Sequence, residues 1–245
     1  MVAHLNDYAD ERLVYGCIYC GGPEETKEHA PSKVFLDVPF PENLPIVRAC
    51  RACNNSFSLD EEYVACLLEC VLSGTTEPEA ISRERIASTL ARSPQLKARI
   101  EAARTVVNGQ PHFSVEADRI RNVLLKLARG HAVFELSRVC RDEPDHFQVF
   151  LTDALTPEQR DAFDAPHLVR LWGEIGSRGH QRLQYLQLQL QHKDDQQEIV
   201  LVPLCDWVSV QEGRYRFLAV DDIDGVVINI VIREYLACEV RWTGK

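Results

Sequence analysis

Apolar side chains recur at Leu59, Tyr63, Cys66, Leu67, Cys70 and Val71, the spacing of one face of a helix. Ser58 with Glu61 three residues later reads as a capping box that starts this helix, and Gly74 lies just past its end. From 76 to about 140 the pattern predicts helix throughout. Ser93-Pro94 gives one start and Asn108-Gly109 a stop. A second long helix over 116–137 carries Ile120, Val123, Leu124, Leu127, Ala128, Val133, Phe134 and Leu136 on its apolar side. The stretch 141–145, RDEPD, reads as a linker, and beyond it the period changes to two. Tyr185-Leu-Gln-Leu-Gln-Leu-Gln alternates as a half-buried strand should. Further strands are expected at 198–202, 214–220, 226–232 and 235–242, with Asp224-Gly225 as a hairpin turn and a short helix starting at Thr156-Pro157. Upstream, 1–16 reads as a lead-in. Segment 17–57 is rich in Pro, Gly, Cys and Asn, with short apolar runs at 34–36 and 44–47 that suit two small strands of a hairpin. The fold class is α+β, in three parts: an N-terminal module (1–75), a helical segment (76–141) and an antiparallel, β-rich C-terminal part (142–245).

Composition narrows the classes. Of 245 residues, 45% are apolar and 26% charged, enough apolar side chains to build a core and too many for a disordered chain. No apolar run approaches the roughly 20 residues of a membrane span, and the N-terminal sequence lacks the basic and apolar regions of a secretory signal. The expectation is a cytoplasmic protein with no membrane partner.

Nine cysteines, an odd number, argue against a disulfide framework and for a reducing compartment. Four of them form two Cys-x-x-Cys pairs, Cys17/Cys20 and Cys50/Cys53, which supply the four thiolates of a closed structural Zn²⁺ site. The 29 residues between the pairs imply a folded insertion. Cys66, Cys70, Cys140, Cys205 and Cys238 read as small core hydrophobes.

The insertion holds Lys27-Glu28-His29-Ala30-Pro31-Ser32-Lys33, then Asn43-Leu44, then Cys50-Arg-Ala-Cys53-Asn54-Asn55. This order resembles the HNH endonucleases over about residues 15–70. Pro31 follows His29 by two residues where the family pattern has three. Asn54 stands where many members carry His, an H-N-N form. The resemblance implies a zinc-stapled ββα-metal module that hydrolyses phosphodiesters, in double-stranded DNA first of all. By resemblance His29 is the general base, suited to neutral pH by an imidazole that titrates near 6.5. Glu28 and Asn54 would hold a catalytic Mg²⁺ or Mn²⁺, with Asn55 as the adjacent fallback. Asn43 would hold the loop that orients His29, and Lys33 would meet phosphate. A role in restriction or anti-phage defence, a homodimer for cutting both strands, and an activating partner protein are further implications. Two alternatives stay open: a non-catalytic zinc module that binds nucleic acid or a protein, and an RNase using the same residues.

The net charge of −10 speaks against nucleic acid until it is divided along the chain. Residues 1–80 carry 5 basic and 14 acidic side chains, 81–141 carry 12 and 5, and 142–245 carry 10 and 18. The middle segment, with Arg83, Arg85, Lys97, Arg121 and Lys126 among its cations, is thus the expected phosphate-facing surface. His131 and Glu135, four residues apart, are expected as a surface pair supporting the second long helix.

Overall fold

The computed structural model describes residues 12–191 and 197–243, so most of the lead-in read over 1–16 lies outside the described residues. The chain is α+β, with six helices among the described residues and antiparallel sheets. Strands β1 (Thr26–His29) and β2 (Ile46–Ala49) pair antiparallel, and helix α1 (Arg51–Ser73) follows directly. Two short helices come next, α2 (Glu84–Arg92) and α3 (Pro94–Ala102), then the hairpin β3 (Arg104–Val107)–β4 (Gln110–Phe113) and the long helix α4 (Ala117–Leu136). The remainder contributes β5 (His146–Leu151), α5 (Pro157–Asp164), β6 (His167–Leu168), α6 (Arg178–Gln181), β7 (Gln184–Gln191), β8 (Gln197–Cys205), β9 (Val208–Gln211), β10 (Tyr215–Asp222), β11 (Gly225–Ile232) and β12 (Leu236–Trp242). One sheet runs β5-β12-β11-β10-β9 and another β6-β8-β7.

The main core lies between α1, α4 and the five-stranded sheet. Register explains which sheet side chains enter it. Tyr215 opposes Ile232, Phe217 opposes Ile230 and Ala219 opposes Ile228; Ile230 and Ile228 in turn oppose Cys238 and Val240. Alternation puts this whole set on one face, and all of it is buried. The same core contains Leu36, Leu67, Leu124 and Ile230, so it runs across the boundaries at 75/76 and 141/142. Cys66, Cys70 and Cys238 are buried within it.

Four expectations change. Helix α1 starts at Arg51, seven residues before Ser58, and its N-cap is Cys50, whose sulfur accepts from the Cys53 N–H. Ser58 sits inside the helix, where its hydroxyl donates to the Asn55 carbonyl, so no capping box forms there. The run at 34–36 is a single helical turn (Lys33–Phe35), and the hairpin partner of β2 is Thr26–His29. The middle segment is not all helix. Asn108 (φ 52°) and Gly109 (φ 78°) both take the left-handed conformation that a two-residue hairpin turn requires, and the chain doubles back as β3–β4. Asn-Gly was the signal for this turn. Finally, His131 is wholly buried: its Nε2 lies 2.7 Å from the Tyr215 hydroxyl and its ring stacks on Phe217 at 3.9 Å. Burial holds its imidazole neutral, lowering its titration to about 3. Glu135 is buried too and pairs with Arg182 at 3.0 Å.

Candidate functional site

Two turns shape the cysteine centre. In the first, Gly16 and Gly21 adopt positive φ (74° and 78°), which folds 17–22 into a tight knuckle. Its backbone bonds run from Cys17 N–H to Gly22 O (2.8 Å) and from Gly21 N–H to Cys17 O (2.8 Å), while Gly22 N–H points at the Cys20 sulfur (3.4 Å). The second turn is the start of α1, which presents Cys50 and Cys53 at a helix N-terminus, where the backbone dipole favours thiolates. The four sulfurs all lie within 4.8 Å of one another, and those of Cys20 and Cys50 are 3.7 Å apart. A tetrahedron with bonds of about 2.3 Å has edges of roughly 3.8 Å, so the donor set fits a zinc ion. The thiols do not ionise alike. Burial opposes ionisation of Cys17, but backbone groups of Cys50, Cys20 and Tyr19 outweigh it and bring the thiol down to about 7. Burial, then the adjacent sulfurs, push Cys53 far up. The Cys17 thiolate therefore forms readily, while Cys53 needs a cation beside it to ionise.

The hairpin β1–β2 leaves this centre with two different faces. Cross-strand pairs Thr26↔Ala49 and Glu28↔Val47 share one face, and Lys27↔Arg48 and His29↔Ile46 share the other. The first face looks at α1. Asn54 Nδ2 donates to Thr26 Oγ1 at 3.1 Å, which ties the first turn of the helix to the start of β1. Farther along, Glu28 is 8% exposed and accepts from Lys126 Nζ at 2.8 Å. Lys126, 2% exposed, also donates to Ser32 Oγ at 2.7 Å and pairs with Glu61 of α1. Ser32 in turn donates to Glu61 at 2.5 Å, and the Lys126 ammonium lies 5.5 Å from the Phe57 ring centre. Burial raises the Glu28 carboxyl above its ordinary range, with Lys126 pulling the other way.

Helix α4 reaches this place because of a glycine. A Cβ on Gly130 would lie 3.0 Å from Ala30 Cβ, so the missing side chain lets α4 cross this close to the end of β1 without displacing Ala30. Lys126 sits one turn earlier on α4. It is a cation set among Leu124, Leu125, Leu127 and Ala128, an irregularity visible in the sequence whose partner was not.

The sequence-selected residues divide accordingly. The structure brings together Glu28, His29 and Asn54 on one hairpin–helix unit, with Asn43 in the exposed loop between β1 and β2, at φ 60°. Sequence reasoning missed Lys126 as the partner of Glu28, with Glu61 and Ser32 as the other partners of that ammonium. It also missed Lys27 and Arg48, which the two-residue period of β1 and β2 places beside His29. The expected phosphate-facing cations fare less well. Arg83 is a correction: it is buried, pairs with Asp37 (2.6 Å) and donates to the carbonyls of Val34 (3.0 Å) and Leu36 (2.8 Å), so it fastens the loop after β1 and meets no phosphate. Lys126 is corrected on the same ground. Lys97 pairs with Glu77 (2.7 Å), and Arg121 pairs with Glu143 while packing over Phe147 (4.5 Å). Arg99, Arg119 and Arg104 also have acidic partners. The positive charge of the middle segment is largely spent inside the molecule. Lys33, over Phe40 at 5.5 Å, and Arg85 stay at the surface beside the hairpin.

Compared with protein-family models, with curated proteins and with solved structures, the chain matches none. No helix among the described residues is long and apolar enough to cross a membrane.

Proposed function

We propose that this chain is a zinc-stapled ββα phosphodiester hydrolase acting on nucleic acid, DNA first of all, with His29 as general base. The observation that supports it best is the position of His29. It ends β1 on the face turned away from the buried Glu28–Lys126 pair, on a hairpin clamped at one end by four cysteines and to α1 by Lys126 and Glu61. Such a clamp holds an imidazole in place, as proton transfer from an attacking water requires. Lys27 on the same hairpin face, with Lys33 near by, supplies positive charge for the phosphate that His29 addresses, while Arg48 on that face pairs with Glu24 at 3.4 Å. The zinc ion holds the scaffold and takes no part in the reaction, because four thiolates leave it no open position.

The resemblance also implies Mg²⁺ or Mn²⁺ between Glu28 and Asn54. Glu28 does not fit that role in this arrangement. The Lys126 ammonium holds its Oε1 and is shared with Glu61, and a divalent ion at the remaining Oε2, which has no hydrogen-bond partner among the described residues, would sit beside that buried cation. The same observation favours a second reading, a zinc module that binds nucleic acid or a partner without cutting it.

Supercoiled plasmid and a single-stranded RNA, each with Mg²⁺, Mn²⁺ or brief EDTA, separate the readings. The hydrolase produces nicked circles, or RNA fragments if RNA is the substrate. Intact nucleic acid in every arm, with zinc still bound and a mobility shift on mixing, would replace it with the binding module.

A further inference from the structure

We propose that the cavity between the C-terminal end of α4 and the β10–β11 turn binds a guanine base, read along its Watson–Crick edge by Asp221 and Arg138 and stacked on Trp172. Binding there needs no cleavage, so it stands apart from the hydrolase reading. The cavity measures about 450 Å³ and is lined from 136–138, 171–174 and the turn after β10. Leu171, Trp172 and Ile223 give it apolar walls, and Arg138 and Asp221 supply a few converging polar groups. That is the usual make-up of a small-molecule site.

Two neighbouring aspartates have opposite duties here. Asp222 lies 3.0 Å from His167 Nε2 and accepts from the backbone N–H groups of Arg170 (3.1 Å), Leu171 (2.8 Å) and Ile223 (2.8 Å). It fastens 167–171 to the β10–β11 turn. Asp221 has only Arg138 for a partner among the described residues, Oδ2 to Nε at 3.7 Å, too long for a hydrogen bond. Burial raises its carboxyl above the ordinary range, with Arg138 pulling the other way. Gly173 leaves this carboxylate uncovered. The backbone does not demand glycine there, since its φ is not positive, yet a Cβ would come within 3.5 Å of Asp221 Oδ2. Arg138 arrives from the other side. Ser137 takes the left-handed conformation (φ 58°) and closes α4, its N–H bonding to Val133 O (3.0 Å) and that of Arg138 to Ala132 O (3.1 Å). The half-exposed guanidinium that follows makes no hydrogen bond among the described residues.

The pair selects its ligand by hydrogen-bond pattern. A carboxylate beside a guanidinium presents two acceptors and then donors. The Watson–Crick edge of guanine is the complement: its 2-amino group and N1–H donate side by side, and O6 accepts. Adenine and cytosine each offer an amino donor next to a bare ring nitrogen, so neither fills both carboxylate oxygens. Trp172 completes the site. It is 55% exposed and braced against His180 and Tyr185, with ring centres 5.4 and 6.4 Å away. An indole held in this way offers a flat face on which a base stacks.

Isothermal titration calorimetry on the full chain tests this with GMP, IMP and AMP, and with an oligothymidylate carrying one guanine beside the all-thymine strand. GMP should bind, IMP, which lacks the 2-amino group, about 10-fold more weakly, and AMP more than about 100-fold more weakly. That ranking in the wild type needs no variant. Asp221→Asn should remove the preference for GMP over AMP, and Trp172→Ala should weaken GMP by about 10–100-fold. Circular dichroism checks both folds, and Val106→Lys on β3 should bind GMP as the wild type does. Tighter binding of GMP than of the guanine strand identifies a free nucleotide as the source of the base, and the reverse identifies a single strand. Either supports the site. No binding of GMP or of the guanine strand up to about 1 mM would overturn it. So would equal affinity for GMP and AMP, or GMP binding unchanged in both cavity variants.

Discussion

Replacing Cys17 and Cys50 with serine removes the metal and unfolds the N-terminal unit while the sheet core stays folded. The reason is how small an apolar core that unit has. Its own cluster of buried apolar residues is small, and Cys17 and Cys50 are members of it. The strands β1 and β2 are four residues each, and an isolated short hairpin is marginal in water. A four-thiolate zinc site contributes an apparent ~10–16 kcal/mol in small zinc domains at neutral pH, more than most whole domains have in reserve. Elemental analysis should give about one zinc per wild-type chain and less than about a tenth of that in the double variant. Hydrogen exchange should show protection lost in β1, β2 and the first turns of α1 but kept in β10, β11 and β12, whose core is separate. Wild-type protein with no bound metal, or unchanged protection in the variant, contradicts the structural role of the cysteines.

The next largest effect comes from one side chain. Lys126→Met keeps the length and apolar stem of the lysine but leaves Glu28 and Glu61 facing each other in a buried place. Removing one partner of a buried ion pair costs about 3–5 kcal/mol, because a charge is left without compensation. The pH dependence separates this from a packing defect. Burial already raises the Glu28 carboxyl, and without Lys126 it rises further. A carboxyl raised above its unfolded value stabilises the fold when protonated, and that contribution fades as pH rises through the folded-state value. The deficit of the variant against wild type, read from urea unfolding, should therefore be largest near pH 8 and shrink toward pH 5. Adding Glu28→Gln should recover part of it. A deficit below about 1 kcal/mol at every pH would show that the triad does not clamp the hairpin.

Much of this organisation was legible in the sequence, and the failures have physical causes. The paired cysteines were readable because metal chelation fixes their spacing and their chemistry. Helix α4 was readable because one face is apolar for five turns. The start of α1 was missed because a cysteine sulfur served as cap, while a side chain pattern at Ser58 imitated one inside the helix. The β3–β4 hairpin is hidden in the sequence because Asn-Gly suits the end of a helix as well as the hairpin turn that Asn108-Gly109 makes. The charge asymmetry was real, but its destination depended on tertiary partners. Arg83 and Lys126 are separated from Asp37 and Glu28 by 46 and 98 residues, and no local pattern announces such pairs. Lys126 alone left a trace, as a cation in an apolar helix face. Glu28 shows the limit of resemblance: a motif assigns a residue to a metal, and the neighbour that arrives from α4 decides whether the carboxylate is available.

The assignment of His29 as the base is tested most directly by comparing wild-type protein with His29→Ala on the same supercoiled plasmid, both preparations holding one zinc per chain. The account predicts that the wild type nicks the plasmid and that the variant is slower by about 10²–10⁴-fold with unchanged folding. Equal rates in the two proteins would contradict it.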